Sequence, residues 1–245
     1  MKYAYVCLFT ILSSFNFLMA QTIHLKPHEQ LWTHNIRSQI NKFEGCWGNK
    51  DAVSRVKARV HIKDCGYESV LDIPCGLCTE YLGYKKDGID GEYLGMDITE
   101  QLVTYAHILG IPVTRASIEK IPCSDSVVDI SYARHILEHL SGYELALKEL
   151  IRVAKKEVLV VFFIAPGNDA TIITPCIVDG DLVYYNRYNK YQLEEYLNRN
   201  PKVKSIIWEP VDRNESIVHI YLDEGYRSID YATDVSLVNE ASAVP

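Results

Sequence analysis

From Gly66 onward the chain alternates short apolar runs with helical segments, and this alternation restricts the fold more than any other feature. Strands are expected at Ser69–Ile73, Tyr93–Met96, Pro112–Arg115, Val127–Ser131, Val158–Ile164, Ser205–Trp208 and Ile217–Leu222. Helices are expected at Thr79–Tyr84, Glu100–Leu109, Tyr143–Lys155 and Lys190–Asn198. Parallel neighbours need crossovers over the faces of the sheet, and helices supply them. The pattern therefore predicts an α/β fold, a doubly wound, seven-stranded, mostly parallel sheet. The last two runs are joined by the short link Glu209–Ser216, which suits an antiparallel hairpin at the C-terminal edge. A chain of 245 residues has room for one such domain with terminal additions. The expected division is a hydrophobic signal peptide or membrane anchor over 1–22, a helical preface over 23–65, the sheet domain over 66–225 and a tail over 226–245.

No charged side chain occurs from Tyr3 to Ile23. Lys2 ahead of this stretch and Ala20 behind it outline an export signal, although Leu18 stands where a small residue is preferred before a cleavage site. The stretch also approaches the roughly 20 residues that span a bilayer. As an anchor it would keep the body in the cytosol, because Lys26, Arg37 and Lys42 follow it while only Lys2 precedes it. Leu31, Trp32, Ile36, Ile40 and Phe43, then Val53, Val56, Val60 and Ile62, recur at helical spacing on either side of Gly45 and Gly48, a helical lid or preface. The formal charge of −7, with no run of Lys and Arg, argues against phosphate-driven nucleic-acid binding. Seven cysteines are too sparse for a disulfide scaffold.

The chemistry concentrates at Val70-Leu-Asp-Ile-Pro-Cys-Gly-Leu-Cys-Thr-Glu, which runs from an apolar strand through a tight turn into a helix. A ligand there meets open backbone N–H groups, and Gly76 has no side chain to hold it off. About twenty residues on, Tyr93-Leu-Gly-Met-Asp97-Ile98 ends a second strand with an acid, where a carboxylate accepts from the ribose hydroxyls of an adenosine-bearing ligand.

With these motifs in order, residues 68–163 resemble a class I S-adenosylmethionine-dependent methyltransferase of the small-domain type. The resemblance is carried by Val-Leu-Asp72-Ile-Pro-Cys-Gly76, Gly95-Met-Asp97, Ser117-Ile-Glu119-Lys-Ile-Pro122, Asp125-Ser-Val-Val-Asp129, Arg134-His135-Ile-Leu-Glu138-His139-Leu and Leu147-Lys-Glu-Leu-Ile-Arg152-Val. It implies a Rossmann-like fold, methyl transfer as the activity and S-adenosylmethionine as cofactor. By the same resemblance, Asp72 helps hold the cofactor's amino group, Cys75 and Gly76 pass under its methionine part, Asp97 and Ile98 meet the ribose, and Ser117 and Ile118 flank the adenine, with Arg134 also in the cofactor set. The family often has glycine where this chain has Pro74 and Cys78, and Asp where it has Ser117.

Methyl transfer from a sulfonium needs alignment more than acid or base, so His135 and His139 are candidate bases only for an acceptor that arrives protonated. The acceptor implied is a small molecule, lipid or protein rather than nucleic acid, with membrane association possible through 3–23. Tyr184, Tyr185, Tyr188 and Tyr191 read either as a packing seam against the N-terminal helices or as a wall of the acceptor site. Two other functions share these residues: a non-catalytic binding protein on the same fold, and an exported thiol-disulfide oxidoreductase using Cys75 and Cys78. His135-Ile-Leu-Glu138-His139 also matches a zinc-peptidase pattern, although no metal is expected there.

Overall fold

The computed structural model describes residues 23–33, 48–212 and 214–222. The predicted segment 1–22, the preface positions Ile36, Ile40 and Phe43, and the predicted tail 226–245 lie outside the described residues. Among the described residues no helix is long and apolar enough to cross a membrane.

Among the described residues the first helices are α1 (Pro27–Thr33) and α2 (Val53–Asp64). Then follow β1 (Ser69–Asp72), α3 (Thr79–Asp87), β2 (Glu92–Asp97), α4 (Glu100–Ile108), β3 (Val113–Arg115) and β4 (Val128–Arg134). A 3-10 turn at Leu137–His139 leads to α5 (Glu144–Val153) and β5 (Ala154–Phe162). The chain closes with a hairpin of β6 (Pro175–Val178) and β7 (Asp181–Tyr184), then α6 (Lys190–Asn198), β8 (Ser205–Pro210) and β9 (Ser216–Tyr221). The main sheet has seven strands in the order β3-β2-β1-β4-β5-β9-β8. β1 to β5 are parallel, and β9 and β8 run antiparallel at one edge.

The central strands are apolar without a break because both faces are covered. Alternate residues of one strand face opposite layers. Leu71, Val158 and Val160 pack with Leu147, Leu150 and Ile151 of α5 and with Leu193 and Leu197 of α6. Val70, Ile130, Leu159 and Val161 pack on the other face with Ala58 and Ile62 of α2 and Tyr84 of α3. α3 ends at Gly88, whose φ of +64° is left-handed and whose N–H returns to Tyr84 O, a helix stop that favours glycine. α6 begins at Asn189, whose side chain accepts from Gln192 N.

β4 runs on to Arg134 because Tyr132 and Ala133 continue the buried run past Ser131. β5 starts at Ala154, inside the predicted end of α5, where the pairing of Val128 with Ala154 takes over from helical bonds. The β6–β7 hairpin was not foreseen, although Asp179-Gly180, with φ of +51° and +91°, is the two-residue turn that favours Asp-Gly. In this topology the crossovers from β1 and β4 leave in opposite directions, so a crevice opens at the carboxyl ends of those strands.

Candidate functional site at the strand tips

The turn after β1 and the end of β2 are bonded to each other. Gly76 has a φ of +54°, which an L side chain rarely adopts, and a Cβ built on it meets nothing within 4 Å. Its N–H donates to Asp97 Oδ2 over 2.9 Å, and Thr99 N–H donates to Asp97 Oδ1 over 2.9 Å. Burial raises the Asp97 carboxyl above its ordinary range, and the N–H groups of Thr99 and Gly76 oppose that shift. Each Asp97 oxygen still has acceptor capacity beyond these bonds.

The other predicted cofactor residues divide in two. Ile98, Ser117 and Ile118 line a cavity of about 30 Å³ together with Ile73, Pro74 and Ala116. Asp72, Cys75 and Arg134 turn elsewhere. Asp72 is buried, accepts from the Tyr93 hydroxyl over 2.6 Å, and is pushed up to about 8 by burial and then by Glu80. Cys75 donates its N–H to Met96 O, while its Sγ lies 3.2 Å from the Cβ position of Gly95. Arg134 bonds Ser54 Oγ and Glu215 Oε1, on the α2 side.

The roof of the cavity comes from α1, through His28, Glu29 and Trp32. Ser117 Oγ donates to Glu29 Oε1 over 2.5 Å, and Thr99 Oγ1 donates to Trp32 O over 2.8 Å. Lys26 Nζ and His28 Nε2 lie 2.8 and 3.1 Å from Glu119 Oε2. Burial pushes the Glu119 carboxyl up, but His28 and Lys26 together hold it below its ordinary value. A second cavity of about 230 Å³ shares Glu29, Ala116 and Ser117 with the first and continues to Thr114 and Pro122. Glu29 thus stands between two spaces. The sequence suggests a lid in this region but gives no sign of Glu29, of His28 or of the pairing of His28 with Glu119, because contacts spanning some ninety residues leave no periodic signal.

The histidines differ in setting. His139 Nδ1 meets Tyr184 O at 2.9 Å, so that nitrogen carries the proton and Nε2 keeps its lone pair. Its ring stacks on Phe163 and touches Trp32 and Tyr185, and burial lowers it to about 4. His135, at a φ of +55°, places Nε2 2.6 Å from Glu215 Oε1, yet burial outweighs that partner and lowers it. Glu138 is wholly buried and accepts the N–H groups of Phe163 and Ile164 through Oε1. With Glu138 on backbone and the two histidines on separate partners, the three do not converge as a zinc-peptidase set. Tyr188 is a packing residue that donates to Leu137 O, Tyr184 packs on His28, and Tyr185 and Tyr191 are exposed. Cys75 and Cys78 are both buried, and the bond to Cys78, then burial, push the Cys75 thiol well above its ordinary value. That is the opposite of the exposed, acidified thiolate an oxidoreductase uses.

Residues 71–162 match the methyltransferase domain family. The chain is 27% identical over 143 residues to an uncharacterized methyltransferase of Schizosaccharomyces pombe, a match covering 53% of this chain and 50% of that protein. The chain thus spans about half the length of the curated relative it matches. Among solved structures, it is similar to the Burkholderia thailandensis 1,6-didemethyltoxoflavin-N1-methyltransferase with bound 1,6-didemethyltoxoflavin and S-adenosylhomocysteine. That likeness has a TM-score of 0.61 at 13% identity and covers 84% of this chain and 94% of that one. It is also similar to a SAM-dependent methyltransferase of Aquifex aeolicus, with a TM-score of 0.51 at 20% identity over 82% of this chain and 100% of that one.

Proposed function

We propose, from the match of residues 71–162 to the methyltransferase domain family, that this chain moves a methyl group from S-adenosylmethionine to a small-molecule, lipid or protein acceptor. The observation that carries the reading is the 2.9 Å bond between Gly76 N and Asp97 Oδ2, which joins a bare backbone turn to a carboxylate at neighbouring strand tips.

The residues fit the cofactor. Gly76 leaves open space where a side chain would stand, Asp97 keeps acceptor capacity for ribose hydroxyls, and Ile98 and Ile118 offer apolar surface beside Ser117. One feature must change on binding. A ligand of this size needs a pocket of roughly 300 Å³ or more, so the cavity of about 30 Å³ admits it only when α1 moves off Ser117.

When bound, S-adenosylmethionine supplies a methyl group already activated on a sulfonium. The chain's part is then binding, orientation and exclusion of water. Asp97 is held by two N–H groups, so it presents its remaining lone pairs in a fixed direction and loses little entropy on binding. Trp32 of α1 and the apolar residues Ile73, Ile98 and Ile118 line the cleft and limit the water it can hold. His139 stays neutral at physiological pH, and at about 4 it is a weak base, so the acceptor must bring its own nucleophile. The chain's net charge of −7 favours acceptors without a polyanionic backbone.

Titration calorimetry of the full chain with S-adenosylmethionine and S-adenosylhomocysteine tests the reading. Binding of one equivalent is expected, followed by transfer of labelled methyl to a small-molecule, lipid or protein fraction. No heat at high ligand concentration overturns it in favour of a non-catalytic scaffold.

A further inference from the structure

A second cluster with chemistry of its own lies away from the cleft, where the end of α2 meets β5 and β9. His61 and Cys65 stand one helical turn apart, so both reach the same side of the helix end. Glu157 of β5 comes up between them and His219 of β9, with His61 Nε2 2.8 Å from Oε2 and His219 Nδ1 2.9 Å from Oε1. The Cys65 Sγ lies 3.6 Å from both ring nitrogens of His61. One donor atom each from His61, Cys65 and Glu157 falls within 4.8 Å of the other two.

We propose that His61, Cys65 and Glu157 bind a single zinc-class divalent ion that ties α2 to the sheet. A thiolate, an imidazole and a carboxylate are all donors that zinc takes, and three of them leave one tetrahedral position for a fourth ligand such as water. Zinc bond lengths put a sulfur and a nitrogen ligand about 3.5 Å apart on a tetrahedron's edge, close to the separation seen. The nitrogen and oxygen ligands would be about 3.3 Å apart, so His61 and Glu157 spread by about half an ångström around the ion.

Glu157 is already oriented, since Oε1 is held by His219, whose Nε2 meets Glu209 Oε2 at 3.2 Å. Such outer carboxylate and imidazole partners fix ligand direction in metal sites.

The test uses the full chain, purified without chelator, for metal content, and then the chelator-treated protein titrated with cobalt(II). About one equivalent of zinc is expected, and cobalt should give tetrahedral visible bands with a thiolate charge-transfer band in the near ultraviolet. Cys65→Ser should abolish the charge-transfer band and weaken cobalt binding about tenfold or more. A folded parent protein that gives no cobalt spectrum overturns the proposal. So does a charge-transfer band that survives in Cys65→Ser, because the sulfur would then belong to another cysteine. The readout is independent of methyl transfer, so it stands or falls apart from the strand-tip site.

Discussion

Asp97→Asn is the substitution that most directly probes the strand-tip geometry. Its size is nearly unchanged, but one carboxylate oxygen becomes an NH₂ that must face either Gly76 N–H or Thr99 N–H, a donor against a donor. The variant keeps one acceptor in place of two and loses the negative charge that strengthens every bond made there. Hydrogen bonds to charged groups contribute about 1.5–3 kcal/mol each, so losing one toward the ribose weakens cofactor binding by about 10–150-fold. Calorimetry with S-adenosylhomocysteine measures this, and circular dichroism shows whether the turn still folds. A folded Asp97→Asn with affinity within about twofold of the parent would refute the idea that this carboxylate grips the ligand.

Two further perturbations address the roof and the buried acid beside it. Glu29→Ala removes the partner of Ser117 and opens the division between the two cavities. A closed state that loses about 1.5 kcal/mol becomes easier to open, so S-adenosylhomocysteine should bind up to about tenfold tighter. Unchanged or weaker binding in a folded variant would mean that α1 does not stand in the ligand's path. Glu138 is raised by burial from 4.5 to about 7, so the folded protein holds that proton more tightly than the unfolded chain. Its contribution is complete below the unfolded value and is lost as pH rises through the folded one. Glu138→Gln, which keeps a carbonyl for Phe163 and Ile164, should flatten the fall of Tm between about pH 4 and 8. A slope equal to the parent's counts against it.

Much of the fold was legible because burial imposes short-range patterns. The strands at Ser69 and Tyr93 and the helix Lys190–Asn198 announce themselves through apolar runs and helical spacing. The β6–β7 hairpin was legible too, in Asp179-Gly180, but the apolar runs around it are brief and the turn was passed over. The site was legible where backbone conformation demands a residue type. Gly76 and Asp97 belong to that class, and they lie together in the structure. Motif position fixes where a backbone runs and leaves open which way a side chain turns, as with Asp72 on the Tyr93 hydroxyl and Arg134 on Glu215.

The order of hydrophobic runs, the turn glycine and the acid at the end of β2 belong to the sequence alone, because each follows from interactions within a few neighbours or from the period of a strand or helix. Only the tertiary structure could bring Glu29 onto Ser117, or His61 and Cys65 onto Glu157, for those pairs are 88 and about 95 residues apart. Contacts at that distance are set by how the layers stack, and stacking is decided by the whole core at once.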